Sequence, residues 1–115
     1  MTEDEARRER IAGLKELVED EPDDVTARFM LGTELAKVGE HGAAAVQFAT
    51  IIGHDPDYTA AYRGLGRAKI AMGDLDGARE VFTDGLVVAD RTGDLQSGKE
   101  MESFLRRYVD GGGHS

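Results

Sequence analysis

The residues of this chain whose types could bind a metal are its three histidines and the short acidic segment DLDG, residues 74–77. The histidines His41, His54 and His114 lie far apart, and the chain contains no cysteine and no pair of histidines at helical spacing. The DLDG segment is similar to the opening of a calcium loop, yet Gly85 stands at the twelfth position from Asp74, where such a loop needs a bidentate glutamate. We therefore interpret the histidines as surface residues and the segment as a turn, and we predict neither a metal nor a cofactor.

A second acidic stretch and the catalytic arrangements that the sequence lacks bear on the same question. The run from Glu19 to Asp24 could hold a cation, but such runs are usually solvated, and Asp23 or Asp24 can instead cap the helix that follows. No Ser, His and Asp arrangement, glycine-rich phosphate-binding loop or pair of buried carboxylates is evident in the sequence. The sequence therefore predicts a protein that is not an enzyme.

Composition and charge narrow the class of partner. The chain has 115 residues, with 14 basic and 23 acidic side chains and a net charge of −9. Such a negative field opposes binding to phosphate backbones, which disfavours a general nucleic-acid binder. The N-terminal residues lack an apolar leader region, and no stretch approaches the roughly 18 apolar residues of a membrane span. We expect a single soluble, cytoplasmic domain that does not associate with membranes.

The chain contains an internal repeat with a period of 34 residues. Residues 25–58 align with residues 59–92 without a gap, and the period also relates Pro22 to Pro56. The positions that carry the repeat are the identical pairs Ala27 and Ala61, Leu31 and Leu65, Gly32 and Gly66, Gly39 and Gly73, Ala44 and Ala78, and Phe48 and Phe82. Leu14 stands one period before Phe48, so a half-unit precedes the first full unit.

Each unit has the pattern of two helices joined by a turn. Gly39 and Gly73 end the first helix of their units, because glycine readily adopts the left-handed backbone of a helix end. We predict that Asp76 caps the amide groups of the next helix, and that Pro56 prevents the second helix of unit one from continuing. Strand patterns are nearly absent, so the sequence predicts an all-α fold.

The spacing and the small residues resemble the tetratricopeptide repeat, whose unit of about 34 residues is a helix–turn–helix. The matching positions are Leu31, Gly32, Ala44, Phe48 and Pro56 in one unit and Tyr62, Leu65, Gly66, Ala78 and Phe82 in the other. The resemblance implies a right-handed α-α superhelix in which glycines and alanines let helices approach closely. Asp90 replaces the usual closing proline, and we therefore expect the fifth helix to end near Gly93.

Stacked repeats need a covered face at each end, which sets the expected organisation. We predict one domain over residues 1–110, made of a half-repeat at 4–20, repeat one at 25–58, repeat two at 59–92 and a closing helix at 94–108. These outer helices would be N- and C-terminal caps, each with an apolar face. Residues 111–115, GGGHS, are expected to form a disordered tail.

The resemblance further implies that the first helix of each pair lines a concave groove. Groove positions carried over from the family include Thr26, Ala36, Ala60 and Ala71, and the residues expected to bind a partner are Phe29, Thr33, Lys37, Arg63, Arg67, Ile70 and Met101. Arg63 and Arg67 form a like-charge pair four residues apart, which an anion should offset. That anion could be a carboxylate or acidic peptide of a ligand, or an internal acid such as Glu34 or an acid of the closing helix.

Two functional hypotheses remain open from these patterns. The first is a non-catalytic scaffold that binds a protein or peptide partner through an acidic or C-terminal carboxylate segment. The second is a structural unit that self-associates through the groove or through the apolar face of the closing helix. The lysine and asparagine clamp by which some family members hold chaperone tails is not reproduced, since Phe29, Thr33 and Gly64 occupy its positions. The identity of the partner and the oligomeric state stay undetermined at this point.

Overall fold

Six α-helices and one π-helical segment make up residues 1–111, the part of the chain that the computed structural model describes. The expected tail at 111–115 lies outside the described residues from position 112 onward. No strand occurs within the described range, so the all-α prediction is confirmed. The helices are α1 (Glu3–Asp20), α2 (Val25–Lys37), α3 (His41–His54), α4 (Thr59–Ala71), α5 (Leu75–Thr92) and α6 (Leu95–Phe104), and the π-helix continues α6 over Leu105–Asp110.

The helix ends follow from a few short-range interactions. Gly39, Gly73 and Gly93 all have positive φ, at 83°, 79° and 76°, and each lies just beyond the end of a helix. The prediction that α5 ends near Gly93 is confirmed, because Gly93 is its left-handed C-cap. The predicted cap at Asp76 is wrong: Asp74 is the N-cap, and its carboxylate accepts a hydrogen bond from the Gly77 amide at 2.9 Å. Helix α5 begins at Leu75, two residues too early for Asp76 to act as its N-cap.

Replacing Gly73 with alanine is expected to lower the free energy of unfolding by about 1–2 kcal/mol, because an L-residue is strained at positive φ. An added Cβ would meet no atom within 4 Å there, so the loss of free energy reports backbone strain and not a steric clash. Gly53→Ala is the matched control, since Gly53 is helical and equally open. It should raise the free energy by up to about 1 kcal/mol. Urea denaturation followed by circular dichroism measures both, and equal shifts would contradict the assignment.

Successive helices pack on one another along the whole chain, from α1 on α2 through to α5 on α6. Helices α2 and α4, the first helices of the two repeats, and the closing helix α6 are here called the first-type helices. Helix α2 contacts α4, and α4 contacts α6, so these helices lie together along one side of the molecule. The buried residues form two neighbouring apolar clusters instead of one central core. This arrangement is the superhelical stack of helix pairs that the repeat predicted.

Glycines in the first-type helices leave the space that the buried phenylalanines fill. The Phe48 ring lies between Gly32 on α2 and Gly64 on α4, and a Cβ added at these glycines would come within 2.9 Å and 2.7 Å of it. The Phe82 ring packs in the same way against Gly66. Glycine inside a helix costs about 1 kcal/mol relative to alanine. The close packing of aromatic rings against these backbones offsets that cost.

Equivalent positions in the two repeats make equivalent polar contacts. The Tyr62 hydroxyl donates to the Pro56 carbonyl at 2.8 Å. Thirty-four residues earlier, Arg28 Nε donates to the Pro22 carbonyl, also at 2.8 Å. Arg28 therefore makes in repeat one the hydrogen bond to the turn that Tyr62 makes in repeat two. None of the helices in residues 1–111 is both long and apolar enough to span a bilayer.

Candidate functional site

A groove of about 510 Å³ runs along the side where α2 and α4 meet. Residues of α2, α3 and α4 line it. The residues that line it are Phe29, Thr33, Ala36, Lys37, His41, Phe48, Ala60, Arg63, Gly64, Arg67, Ala68 and Ala71. Small residues supply a large share of the α4 wall, so the groove is open between the two helices.

Aromatic rings form a firm apolar floor at one part of the groove. Phe29 meets Phe48 edge to face, with ring centroids 5.7 Å apart, and contacts Tyr58 at 5.6 Å. Phe48 cannot shift toward α4, because Gly64 already lies against its ring. Rings held in such pairs present apolar area with little conformational freedom left to lose when a ligand binds.

The charged side chains that line the groove are basic. Lys37, Arg63 and Arg67 line it together with His41, and no acidic residue of the described chain is among the lining residues. This contrasts with the net charge of −9 for the whole chain. A concave surface with one sign of charge concentrates the local potential. The groove is therefore a basic region on an acidic protein.

Arg63 is paired with a carboxylate of the closing helix. Its Nη1 donates to Glu100 Oε2 at 2.5 Å, and Gln96 donates to the other oxygen of Glu100 at 2.9 Å. These hydrogen bonds, first that from Gln96 and then that from Arg63, lower the pKa of Glu100, which keeps the carboxylate ionised. Of the two explanations for the arginine pair, an internal acid accounts for Arg63.

Arg67 has a different environment. Its guanidinium carbon lies 5.2 Å from the centroid of the Phe104 ring, a cation–π contact that orients the group without neutralising its charge. Within residues 1–111, no carboxylate oxygen comes within the 4.0 Å of an ion pair with Arg67. Lys37 Nζ lies 3.7 Å from Glu34 Oε1, but Glu34 also contacts Arg7 and Arg10. Arg67 and Lys37 therefore retain charge that a ligand can neutralise.

Five of the seven residues expected to bind a partner line the groove, namely Phe29, Thr33, Lys37, Arg63 and Arg67. Ile70 does not line it; its side chain packs half-buried against the second apolar cluster. The placement of Met101 in the groove is wrong. Its side chain is 0% exposed and fills the space over Gly85, where an added Cβ would lie 2.6 Å from the Met101 sulfur.

The sequence reasoning missed several residues that line the groove, among them His41, and it treated Gly64 only as a departure from the clamp. His41 is the first residue of α3 and reaches the groove because the short turn after α2 brings it back. No sequence pattern marks it. Gly64 did carry a signal, since a helical glycine is costly unless something packs against it.

His54 lies 3.7 Å from Asp23, and no described His, Asp or Glu side chains gather into a group of three that could hold a metal.

The stacked helix pairs and their concave basic groove define a helical-repeat protein. A model of the tetratricopeptide repeat matches residues 35–97. The TPR repeat-containing protein PA0015 of Pseudomonas aeruginosa is 38% identical over 97 residues, covering 84% of this chain and 92% of that protein. The chain belongs to the tetratricopeptide repeat family. It is also similar to the solution structure of protein BPP2914 from Bordetella parapertussis, with a TM-score of 0.75 and 30% identity over 90% of this chain and 95% of that one.

Proposed function

We propose that this protein is a non-catalytic scaffold whose groove binds an extended protein segment that carries an anionic group. Membership of the tetratricopeptide repeat family supports a role in protein–protein interaction. The observation that carries the finer proposal is the charge of the groove: Lys37 and Arg67 retain charge, Glu100 neutralises Arg63, and no acid is among the described lining residues, on a chain of net charge −9. A ligand with a carboxylate matches this potential.

The dimensions and floor of the groove indicate how the segment would bind. A volume of about 510 Å³ is within the usual range for ligand pockets and accommodates a few side chains. Phe29 and Phe48 would contact an apolar side chain of the ligand. Arg67 would bind a carboxylate, since its planar guanidinium can donate two parallel hydrogen bonds and already has a fixed orientation over Phe104.

Self-association through the closing helix has less support from the contacts in this structure. Met101 is fully buried, and Phe104 stacks on Phe82 with centroids 5.8 Å apart. Leu105 also packs against the second apolar cluster. These three side chains are therefore used inside the chain, which makes them unavailable to a second copy and favours binding of a separate segment in the groove.

Replacing Arg67 with glutamine is expected to weaken binding by ~10-fold or more, because a charge-assisted hydrogen bond contributes about 1.5–3 kcal/mol. The probe is a fluorescein-labelled peptide selected against the wild-type protein from a library of random octapeptides with free C-termini. Fluorescence polarisation gives the dissociation constant for each variant. Arg8→Gln is the matched control, since Arg8 is an exposed cation of α1 that does not line the groove.

The experiment has two outcomes that would contradict the proposal. Failure of the library to yield any peptide that binds specifically would remove peptide binding as the function. Equal losses in the Arg67 and Arg8 variants would show that the global charge, and not the groove, controls binding. Sedimentation of the wild-type protein across concentrations tests the alternative, because a strict monomer is incompatible with self-association.

A further inference from the structure

Helices α4 and α6 are joined by three side-chain contacts that succeed one another along α4. Thr59, Arg63 and Arg67 lie four residues apart on α4 and so occupy one face. Their partners on the α6 side are Asp94, Glu100 and Phe104 respectively. The closing helix thus decides the environment of each of these α4 residues, and it neutralises one arginine while leaving the next one charged.

The first contact in this series holds α6 in place. The Asp94 carboxylate caps α6 by accepting from the Ser97 amide at 3.2 Å, and it also accepts from the Ser97 hydroxyl at 2.8 Å and from the Thr59 hydroxyl. Thr59 and Ser97 are both buried. With its N-terminus attached to α4 in this way, α6 keeps Glu100 beside Arg63.

We propose that Glu100 is a specificity-determining residue of the groove. As an internal carboxylate, Glu100 neutralises Arg63, so a bound segment is recognised by Arg67 and Lys37. The groove therefore selects ligands with one carboxylate over ligands with two adjacent carboxylates. The inference rests on the proposed function. Its basis is the ion pair of Glu100 with Arg63, which lines the groove; the two side chains are 33% and 28% exposed, so a ligand can approach the pair.

The selection follows from charge. A second ligand carboxylate that approaches Arg63 meets the negative charge of Glu100, and like charges in close proximity are unfavourable. The hydrogen bond from Gln96 prevents Glu100 from turning away easily to release Arg63. A first carboxylate at Arg67 meets no such competitor among residues 1–111, because the partner of Arg67 is an aromatic ring.

The test compares Glu100→Gln with the wild-type protein, using two fluorescein-labelled probes. The one-carboxylate probe is the selected octapeptide reduced to the single carboxylate that its binding requires, by amidation of the C-terminus or of other acidic side chains. The two-carboxylate probe is the same peptide with a glutamate next to that carboxylate. Glu100→Gln should bind the two-carboxylate probe ~10-fold more tightly than wild type does, but the one-carboxylate probe by at most ~3-fold. Glu102→Gln is the matched control, because Glu102 is an exposed acid on the same helix and its loss changes the net charge equally.

A double variant removes the ion pair while leaving the net charge unchanged. Arg63→Gln combined with Glu100→Gln should not show the ~10-fold tighter binding of the two-carboxylate probe that Glu100→Gln shows, because Arg63, the cation that loss of Glu100 would release, is absent. Thermal unfolding of each variant confirms that it is folded. Equal affinity of wild type and Glu100→Gln for the two-carboxylate probe would overturn this inference alone, as would an equal gain in Glu102→Gln. Absence of any selected peptide would instead overturn the proposed function, and this inference with it.

Discussion

Replacing Phe82 with alanine is expected to lower the free energy of unfolding by about 3–5 kcal/mol, the usual range for truncating a fully buried phenylalanine. The side chain is 0% exposed, packs against Gly66 on α4 and stacks on Phe104. Because a domain of this kind is typically stable by about 5–15 kcal/mol, the loss is a large fraction of the total. Urea denaturation monitored at the helical circular dichroism band measures it.

The effect should extend from stability to the groove. Phe104 contacts both Phe82 and the guanidinium of Arg67, so a cavity at Phe82 removes part of the support of the ring that orients the arginine. Val87→Ala on the same helix is the matched control, since Val87 is 64% exposed and its truncation should change the free energy by no more than about 0.5 kcal/mol. A loss below about 1 kcal/mol for Phe82→Ala would contradict the packing described here.

Alanine at Gly66 is expected to destabilise the protein by about 2 kcal/mol or more, although alanine is the better helix former. An added Cβ would lie 2.7 Å from Phe82 Cδ1 and closer still to two other atoms of the ring. Phe82 is enclosed on its other side and cannot move away without disturbing Phe104. The same denaturation experiment gives the free energy of unfolding of Gly66→Ala. Binding of the selected octapeptide is expected to fall only under conditions in which this variant is partly unfolded.

Gly13→Ala is the matched control for Gly66→Ala, because it should raise the free energy of unfolding instead of lowering it. Gly13 lies in the middle of α1, and an added Cβ would meet nothing within 4 Å, so this variant should be about 0.5–1 kcal/mol more stable than wild type. A double-mutant cycle that combines Gly66→Ala with Phe82→Leu tests whether the aromatic ring causes the destabilisation. The loss of free energy from Gly66→Ala should be smaller when the ring is absent. An unchanged penalty in that background would show that the strain at Gly66 has another source.

The fold could be predicted to a large extent because its signals are local. Glycine at Gly39 and Gly73 ends a helix through its own backbone freedom, and the 34-residue period brings identical residues to equivalent places. The same period relates Phe48 to Phe82, and both rings pack against helical glycines. The error at Asp76 was small in sequence but informative, since two aspartates in one turn differ only in which of them precedes the first helical residue.

The groove could be predicted only in part. The resemblance to the tetratricopeptide repeat placed Phe29, Lys37 and Arg67 at the groove, and the structure has all three among the lining residues. The same reasoning failed for Met101, which lies on a helix at the end of the stack. Its direction depends on how α6 rotates about its own axis, and the space over Gly85 sets that rotation.

The amino-acid sequence by itself determined that this protein consists of paired helices repeated in tandem, where those helices end, and that positive charge recurs along α4. Only the tertiary structure decided what neutralises that charge: Glu100 binds Arg63, and an aromatic ring leaves Arg67 charged. The physical reason is that periodicity specifies the direction of a side chain relative to its own helix. The partner it meets, 37 residues away in both cases, depends on the relative rotation and offset of two packed helices, which arise from the whole apolar interface between them.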